Sequence, residues 1–293
     1  MSRASPLVVN LCRVAPQGYA HYRAFDEISE TLETALRDLG QPVAVHWNRL
    51  PESGLNVVIG AHLLDPETAD SLGPETVVYN FEQIEQQTAS TRPDRLRPLR
   101  RATVWDYSAR NLEMIRSLTG NPRLVHVPVG YVRELTRIEP AARQDIDVLF
   151  YGSTNDRRKR VLDRIEARGL ALRRAFGVYG TERDLLIARA KVVLNLHFYE
   201  SQVFEIVRVS YLLANRKAVV CECDANTEMP PDLWQAMRLA ICGELPQACE
   251  ELVADAETRR RYENAGFLQM SGRAAGGFLR EPLAAALARR VTA

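Results

Sequence analysis

The sequence predicts an α/β protein with two Rossmann-like parallel-sheet domains that face each other. Short apolar runs alternate with amphipathic stretches along both halves of the chain, and this alternation is typical of strands and helices in parallel sheets. A polar segment at 132–144, which contains Pro140 and has no clean period, separates the two halves. We therefore expect domains at 1–140 and 145–275, followed by a closing helix at 276–293 that packs back on the first domain.

In the first half, each predicted strand is a short apolar run that ends in polar residues. Apolar side chains recur at helical spacing from Phe25 to Leu39, and Gly40 supplies a stop signal. Ser108 is placed to cap the helix that follows it. The expected strands are 7–12, 43–47, 55–59, 76–82, 102–108 and 124–131, and the expected helices are about 24–39, 66–73 and 109–118.

The second half repeats the alternation of strand and helix. The expected strands are 147–151, about 170–176, 191–196 and 217–221, and the expected helices are about 156–168, 181–190 and 202–214. A helix-rich tail is expected from about Leu233, with its last helix at 278–291. Because helix N-termini face outward at the carboxyl edge of a parallel sheet, we expect anionic ligands to bind at that edge.

Composition excludes several classes of protein. Of the 293 residues, 46% are apolar and 26% are charged, which is ordinary for a globular chain and argues against overall disorder. The formal net charge of +1 gives no reason to expect a nucleic acid as the partner. The N-terminus lacks the apolar run of a signal peptide, and no later run is long enough to span a bilayer. We expect a cytoplasmic protein without a transmembrane segment.

Thiol and acidic groups show no pattern of a metal site. The five cysteines are odd in number and scattered, which fits a reducing compartment rather than a disulfide framework. Cys221 and Cys223 are too close together for the usual zinc pair. Asp145 and Asp147 form an Asp-x-Asp pattern, but they precede a buried strand instead of following one. We expect neither a metal nor a cofactor.

The first candidate site follows the strand predicted at 147–151. Gly152 lets the backbone approach a ligand closely, and short polar side chains after it can cap the next helix or donate to phosphate. Arginines on that helix can neutralise a diphosphate. The alternative is a plain turn followed by a solvated basic helix face. The candidate residues are Tyr151, Gly152, Ser153, Asn155, Arg157 and Arg158, with Gly177 and Tyr179 after the next strand.

The second candidate site opens the helix predicted at 202–214. That helix is apolar on nearly every side, so its charged residues are expected to be buried and to need partners or ligands. Carboxylates at such a place are good acceptors for sugar and ribose hydroxyls. The alternative is a surface ion pair between Glu205 and Arg208. The candidate residues are Glu200, Ser201, Gln202, Phe204, Glu205 and Arg208.

Four further residues are candidates for proton transfer. His21, Glu82 and Asp106 each lie near the carboxyl end of a predicted strand, and such side chains can take the proton of an acceptor hydroxyl. Asp106 has an alternative role, which is to help Ser108 cap the following helix, and His21 can be a purely structural loop histidine. His197 lies just before the second candidate site, where it can contact either substrate.

The segments 147–153 and 195–222 resemble the C-terminal domain of GT-B-fold glycosyltransferases, in particular the bacterial spore-maturation-type and group-1-like enzymes. The likeness covers roughly 145–225, and the N-terminal half is similar in architecture only. It implies that the C-terminal domain holds a nucleotide diphosphate sugar, with Glu205 on ribose or sugar, and that the N-terminal domain binds the acceptor. Glu200 and Glu205 are five apart instead of the usual eight, which leaves retention or inversion open.

The predicted function is therefore metal-independent transfer of a sugar from a nucleotide diphosphate sugar to a glycan, a lipid-linked or another small acceptor. Two alternatives remain at this stage, namely a non-catalytic nucleotide-sugar or glycan-binding module and an epimerase acting on the same donors. Fold cannot choose among them. The arginines between Arg92 and Arg101 allow peripheral membrane contact, with a solvated basic loop as the alternative.

Overall fold

The structure is a computed structural model that describes residues 7–198 and 203–292. The chain divides into two compact units, unit 1 from Met1–Val132 and Ala274–Ala293, and unit 2 from Arg133–Arg273. Over the described residues, unit 1 holds a sheet of six strands and unit 2 a sheet of five, and all neighbouring strands are parallel. The prediction of an α/β protein with two parallel sheets is confirmed.

Within the described residues, unit 1 contains the first six strands, the first four α-helices and the final helix of the chain. The strands are β1 (Val9–Arg13), β2 (Val43–Trp47), β3 (Leu55–Ile59), β4 (Val77–Asn80), β5 (Thr103–Asp106) and β6 (Leu124–His126). The first four helices are α1 (Asp26–Asp38), α2 (Pro66–Ser71), α3 (Thr88–Thr91) and α4 (Ala109–Thr119). Short 3₁₀ helices lie at Ala20–Phe25, Ala61–Leu63 and Pro93–Leu99, and a further one, Arg133–Leu135, begins unit 2. The strand order is β2-β1-β3-β4-β5-β6, and the central strands are buried apolar runs, as a covered parallel sheet requires.

Unit 2 follows the same plan with a second core. The strands are β7 (Ile146–Tyr151), β8 (Leu172–Ala175), β9 (Ala190–Asn195), β10 (Ala218–Glu222) and β11 (Arg238–Ala240). The helices are α5 (Asp156–Glu166), α6 (Gly180–Arg189), α7 (Ile206–Ala214), α8 (Leu245–Ala254) and α9 (Ala256–Ser271), with a 3₁₀ turn at Pro231–Leu233. The strand order is β11-β10-β9-β7-β8. The buried side chains of β7, β9 and β10 pack against α5 and α8.

The final helix, α10 (Ala275–Thr292), belongs to unit 1, where it packs on α1 and β3. Near its start, Gly130 lies so close to Ala275 that a Cβ on the glycine would be 2.4 Å from the Ala275 Cα. Near its end, Arg290 donates a hydrogen bond of 2.8 Å to the carbonyl of Gly54. Both ends of α10 are therefore fixed to unit 1.

The structure corrects the predicted start of α7. This helix begins at Ile206, although the sequence pattern predicts a start near residue 202. Val203 instead forms a β-bridge with Glu228, and the Phe204 amide donates to the Glu228 carbonyl at 3.2 Å. Because the backbone of Val203 and Phe204 pairs with Glu228, these two residues are not part of the helix. Glu205 is the N-cap residue of α7.

Three other predicted elements differ from the structure. A strand, β11, lies in the tail that was expected to be helical, because its three residues pair with β10 although their own β propensity is weak. The strand predicted at 124–131 ends at His126, two residues before Pro128, which cannot donate to a ladder. The last helix begins at Ala275, three residues before the start predicted from the apolar pattern at 278–291, and it includes both glycines.

Candidate functional site

Three neighbouring strands of unit 2, in the order β10-β9-β7, end at one edge of the sheet. Their carboxyl ends bring together Tyr151, Asn195 and Glu222 with the loops that follow them. These positions are far apart in the chain, so only the strand order makes them neighbours. The predicted donor-binding residues that lie outside the described part of the chain are Glu200, Ser201 and Gln202.

The side chain of Glu205, which directly precedes α7, lies among polar groups from these loops. Its Oε2 accepts a hydrogen bond from Asn195 Nδ2 at 2.9 Å and lies 3.3 Å from His197 Nδ1. Its Oε1 lies 3.5 Å from Arg158 Nη2. The side chains of His197 and Arg158 are 2% and 3% exposed, so water screens these charges only weakly.

Glu205 is held in its ionised form. Burial raises the pKa of a carboxyl group, but the interactions with His197 and Arg208 and the hydrogen bond from Asn195 outweigh it, and the pKa of Glu205 lies below its usual value. Within residues 7–198 and 203–292, neither Glu205 Oε1 nor His197 Nδ1 forms a hydrogen bond. A buried polar atom without a partner is costly unless a ligand satisfies it.

Arg158 joins the loops that follow β7 and β9. Its guanidinium donates to the carbonyls of Ser153 at 2.7 Å and His197 at 3.3 Å, and also to the carbonyl of Leu196. The guanidinium therefore lies among these three carbonyl oxygens and the Glu205 carboxylate. The diphosphate contact predicted for Arg158 stays a prediction, and the contacts observed in the structure link the two loops.

Arg157 pairs with Glu222, a residue that the sequence analysis did not select. Both Arg157 terminal nitrogens donate to the carboxylate, one of them to Oε2 at 2.9 Å. The same Oε2 accepts a bond of 3.0 Å from the His197 amide. The Glu222 side chain is 4% exposed. Its one signal in the sequence is an acidic residue at the end of an apolar run, where a parallel strand meets the ligand edge.

Arg208 faces the turn after β7. Its Nη1 donates to Asn195 Oδ1 at 3.1 Å, and its guanidinium lies 5.2 Å from the centre of the Tyr151 ring. Gly152 has a φ of +132°, and its backbone passes beneath Nη2 of Arg208. The turn at Gly152 is half-buried and has a cation beside its backbone, an arrangement that suits a phosphate group.

The remaining predicted donor residues have different surroundings. Asn155 caps α5, since its Oδ1 accepts from the Arg158 amide at 2.9 Å and its Nδ2 donates to the Phe198 carbonyl at 3.3 Å. Phe204 is 1% exposed, so its ring packs in the core and offers no surface to a ligand. Gly177, with a φ of +70°, and Tyr179, the N-cap residue of α6, lie in the loop after the edge strand β8.

In unit 1, Glu82 lies just after β4 and pairs with His62, which the sequence analysis missed, and with Arg95, which it assigned only to a basic segment. Its Oε2 is 2.9 Å from Arg95 Nη1, and its Oε1 is 3.7 Å from His62 Nε2. The sequence did carry a signal for His62, since this residue lies three positions after the predicted strand 55–59, near the carboxyl end of that strand.

Asp106 and His21 are separate from that group. Asp106 is 0% exposed, and its carboxylate accepts from the Ser108 amide at 2.8 Å and from Asn80 Nδ2 at 2.6 Å. Its contacts fit the alternative interpretation, in which it supports the start of α4. His21 lies in the 3₁₀ turn before α1 with its ring centre 5.2 Å from that of Tyr19.

Comparison with known proteins identifies the fold. No family model matches the chain. The chain is similar to HepE (Alr3699) of Anabaena, solved in complex with UDP and glucose, at 12% identity and a TM-score of 0.63, over 97% of this chain and 99% of that one. It is also similar to AviGT4, a glycosyltransferase involved in avilamycin A biosynthesis, at 14% identity and a TM-score of 0.60, over 97% and 98% of the two chains. The fold is that of the GT-B glycosyltransferases.

Relatives by sequence come from Acanthamoeba polyphaga mimivirus. The uncharacterized protein L140 is 28% identical over 130 residues, which is 42% of this chain and 41% of that protein. The uncharacterized protein L138 is 31% identical over 111 residues, or 36% of this chain and 12% of that protein. The matched segments thus span less than half of each viral protein.

Membrane spans and metal clusters are both absent from the described residues. No helix in the ranges 7–198 and 203–292 combines the length and apolar character needed to cross a bilayer. Over the same ranges, no group of three His, Cys, Asp or Glu side chains is arranged to hold a metal ion.

Proposed function

We propose that this protein is a glycosyltransferase that takes a sugar from a nucleoside diphosphate sugar, and that unit 2 binds this donor at the carboxyl edge of its sheet. The GT-B fold supports the reaction class, and the polar groups gathered after β7, β9 and β10 support the location. Unit 1 then binds the acceptor, a glycan, a lipid-linked sugar or another small hydroxyl compound, and transfer needs no metal.

The observation that carries the proposal is the Glu205 carboxylate. It is ionised and its side chain is 14% exposed, and its Oε1 makes no hydrogen bond within the described part of the chain. A carboxylate accepts several hydrogen bonds, and neighbouring hydroxyl groups of a ribose or a sugar are suitable donors. A ligand hydroxyl at this point satisfies an atom that the protein leaves without a hydrogen bond.

The diphosphate is assigned to the turn at Gly152 and to Arg208. The glycine lets phosphate oxygens approach the backbone, and the guanidinium beside it offsets their charge. As the bond between sugar and phosphate breaks, negative charge grows on the leaving diphosphate, and a fixed cation lowers the energy of that transition state. Arg157 and Arg158 act indirectly in this scheme, since their carboxylate and carbonyl partners set the shape of the loops.

The test is thermal unfolding of the full chain with UDP, GDP, dTDP, CDP and their sugars. A ligand that binds only the folded state stabilises it by about 2.7 kcal/mol at a hundredfold excess over its Kd. We expect one nucleotide to raise the unfolding temperature, and Glu205→Gln to abolish most of that rise while the variant remains folded. The matched control is Glu244→Gln, at an exposed position before α8. No rise with any nucleotide contradicts the proposal.

Product analysis separates transfer from the two alternatives. The nucleotide sugar selected by that panel is incubated with the protein and a mixture of oligosaccharide acceptors. We expect release of the nucleoside diphosphate together with a glycosylated product. An isomerised donor identifies an epimerase, and binding without any turnover identifies a binding module, so either result replaces the transferase proposal.

A further inference from the structure

A phenylalanine is exposed at the carboxyl edge of the unit 2 sheet. Phe176 directly follows β8, and it is 63% exposed. Single exposed apolar residues are common on protein surfaces and need no explanation by themselves. Phe176 differs from them in its position, because it lies at the edge where unit 2 gathers the polar groups of the candidate donor site.

The backbone connects Phe176 to the turn that we assign to the diphosphate. β7 and β8 are neighbouring parallel strands with Tyr151 opposite Ala175, and the Gly152 amide donates to the Ala175 carbonyl at 3.0 Å. Phe176 is the residue that follows this carbonyl. Since adjacent strands lie roughly 4.8 Å apart, the loop that carries Phe176 begins one strand away from the phosphate turn.

The loop after β8 leaves room for a ligand beside the phenyl ring. Gly177 has a φ of +70°, and within the described part of the chain a Cβ at this position would have no atom beyond its chain neighbours within 4 Å. Gly180, at the start of α6, has a φ of +53°. Both backbone conformations favour glycine, so the loop is short and carries little bulk next to Phe176.

An aromatic ring at this point suits a nucleobase. In a nucleoside diphosphate sugar, a single ribose joins the base to the diphosphate, so a donor with its phosphates at Gly152 has its base close to that turn. Every base has a flat π face, and an aromatic side chain binds this face by stacking. The hydroxyl groups of the sugar are better matched by polar acceptors such as the Glu205 carboxylate.

We propose that Phe176 binds the nucleobase of the donor by stacking on its ring. This inference rests on the proposed transferase function, and it concerns unit 2 alone. The loop after β8 then holds the base, and the loops after β7 and β9 hold the remainder of the donor. Stacking does not read the hydrogen-bonding edge of a base, so Phe176 supplies affinity, and the choice among bases falls to other groups.

The test measures the Kd of the full chain, by titration calorimetry, for the nucleoside diphosphate that stabilises the wild type. We expect Phe176→Ala to weaken binding about 5- to 150-fold, which is the usual loss when one base loses its aromatic partner. Leu185→Ala, on α6, is the matched control, because Leu185 is also apolar and is 62% exposed. Wild-type affinity in Phe176→Ala overturns the inference, and so does an equal loss in Leu185→Ala.

Fluorescence gives a second test that does not depend on the alanine variant. Phe176→Trp adds a fluorophore to the three native tryptophans, and a base stacked on an indole ring quenches its emission. At saturating concentrations, we expect the nucleotide to quench this variant more strongly than the wild type. Inorganic pyrophosphate, which has no base, is expected to produce no such difference. The absence of added quenching by the nucleotide, or the same quenching by pyrophosphate, overturns the inference.

The two proposals fail in different ways. If no nucleotide stabilises the wild type, the proposed function and this inference are contradicted together. If a nucleotide binds the wild type and Phe176→Ala equally well, the inference alone is contradicted, and the donor site at Glu205 and Gly152 stands.

Discussion

The guanidinium of Arg208 lies over the backbone of Gly152, so closely that a Cβ at position 152 would come within 2.7 Å of Nη2. One residue follows β7 and the other lies in α7, so this contact joins two parts of the candidate donor site. Position 152 therefore favours glycine for two reasons: its φ is positive, and the Arg208 side chain leaves no room for a Cβ.

The first prediction concerns this contact. Gly152→Ala places a side chain at a φ of +132° and pushes it against Arg208, so we expect the free energy of unfolding to fall by about 1–3 kcal/mol. Stabilisation by the donor nucleotide is expected to fall as well, because the guanidinium must move. Chemical denaturation with and without the nucleotide measures both effects.

The control for that substitution is Gly243→Ala. Gly243 is exposed and has an ordinary backbone conformation, and a Cβ at this position would have no other atom within 4 Å. We expect its free energy of unfolding to stay within about 0.5 kcal/mol of the wild type, as for surface substitutions in general. Equal losses in the two alanine variants contradict the steric explanation.

The second prediction is an asymmetry between the partners Arg157 and Glu222. Arg157→Ala leaves a carboxylate buried without its cation, and we expect a loss of about 3 kcal/mol in the free energy of unfolding. Glu222→Gln leaves Arg157, whose side chain is 36% exposed and can turn to water, so its loss is expected to be only about 1 kcal/mol.

The double variant Arg157→Ala/Glu222→Gln tests the cause of that asymmetry. It removes the buried charge together with its partner, so we expect it to be more stable than Arg157→Ala alone. A double variant that shows the sum of both single losses contradicts a direct interaction. The result also decides how binding data are interpreted, because weaker donor binding in Arg157→Ala then reflects a distorted loop.

The third prediction is a pH dependence of stability from Lys217. This side chain is 3% exposed, and its Nζ donates to the Ala190 carbonyl at 2.7 Å. Burial lowers its pKa from the usual 10.5 to about 8, with Glu263 acting in the opposite direction. Between these pH values the unfolded chain binds more protons than the folded one, so this lysine makes stability rise with pH from about 8 to 10.5.

Comparison of the wild type with Lys217→Met isolates that contribution. Buried thiols such as Cys221 act with the opposite sign at alkaline pH, because burial raises the thiol pKa, so the quantity to measure is the difference between the two proteins. We expect the variant to gain relative stability below pH 8 and to lose that advantage toward pH 10. Lys159→Met, at an exposed position of α5, is the control, and the same profile in both variants contradicts the prediction.

The fourth prediction concerns Gly130, which lies against Ala275 at the start of α10, and Gly277 within that helix. Gly130→Ala puts a methyl group against the Ala275 backbone, so we expect unit 1 to lose about 1–3 kcal/mol of unfolding free energy. Gly277→Ala lies inside the helix with open space around it and is expected to stabilise by about 0.5–1 kcal/mol. Thermal unfolding measures both, and a stable Gly130→Ala variant shows that the two segments are not packed as described.

Much of the fold was predictable because its signals are local. Strands β2 and β3 were predicted at their observed bounds, since each is a short apolar run between polar segments. The start of α7 was not predictable, because Phe204 reads as helical by its neighbours but its amide pairs with the distant Glu228 carbonyl. β11 was missed for the same reason, because its strand conformation depends on pairing with β10 and its own residues give only a weak signal.

The sequence by itself determined which chemical groups stand at the ends of the strands, among them Glu205, His197, Arg208 and the turn at Gly152. Only the tertiary structure decided which of these groups meet. The order β10-β9-β7 brings Glu222 to Arg157 at the start of α5, and it brings the Arg158 guanidinium to backbone carbonyls of the neighbouring loops. The physical reason is that charge pairing depends on distance and burial in the folded chain, and neither can be deduced from the spacing of residues along it.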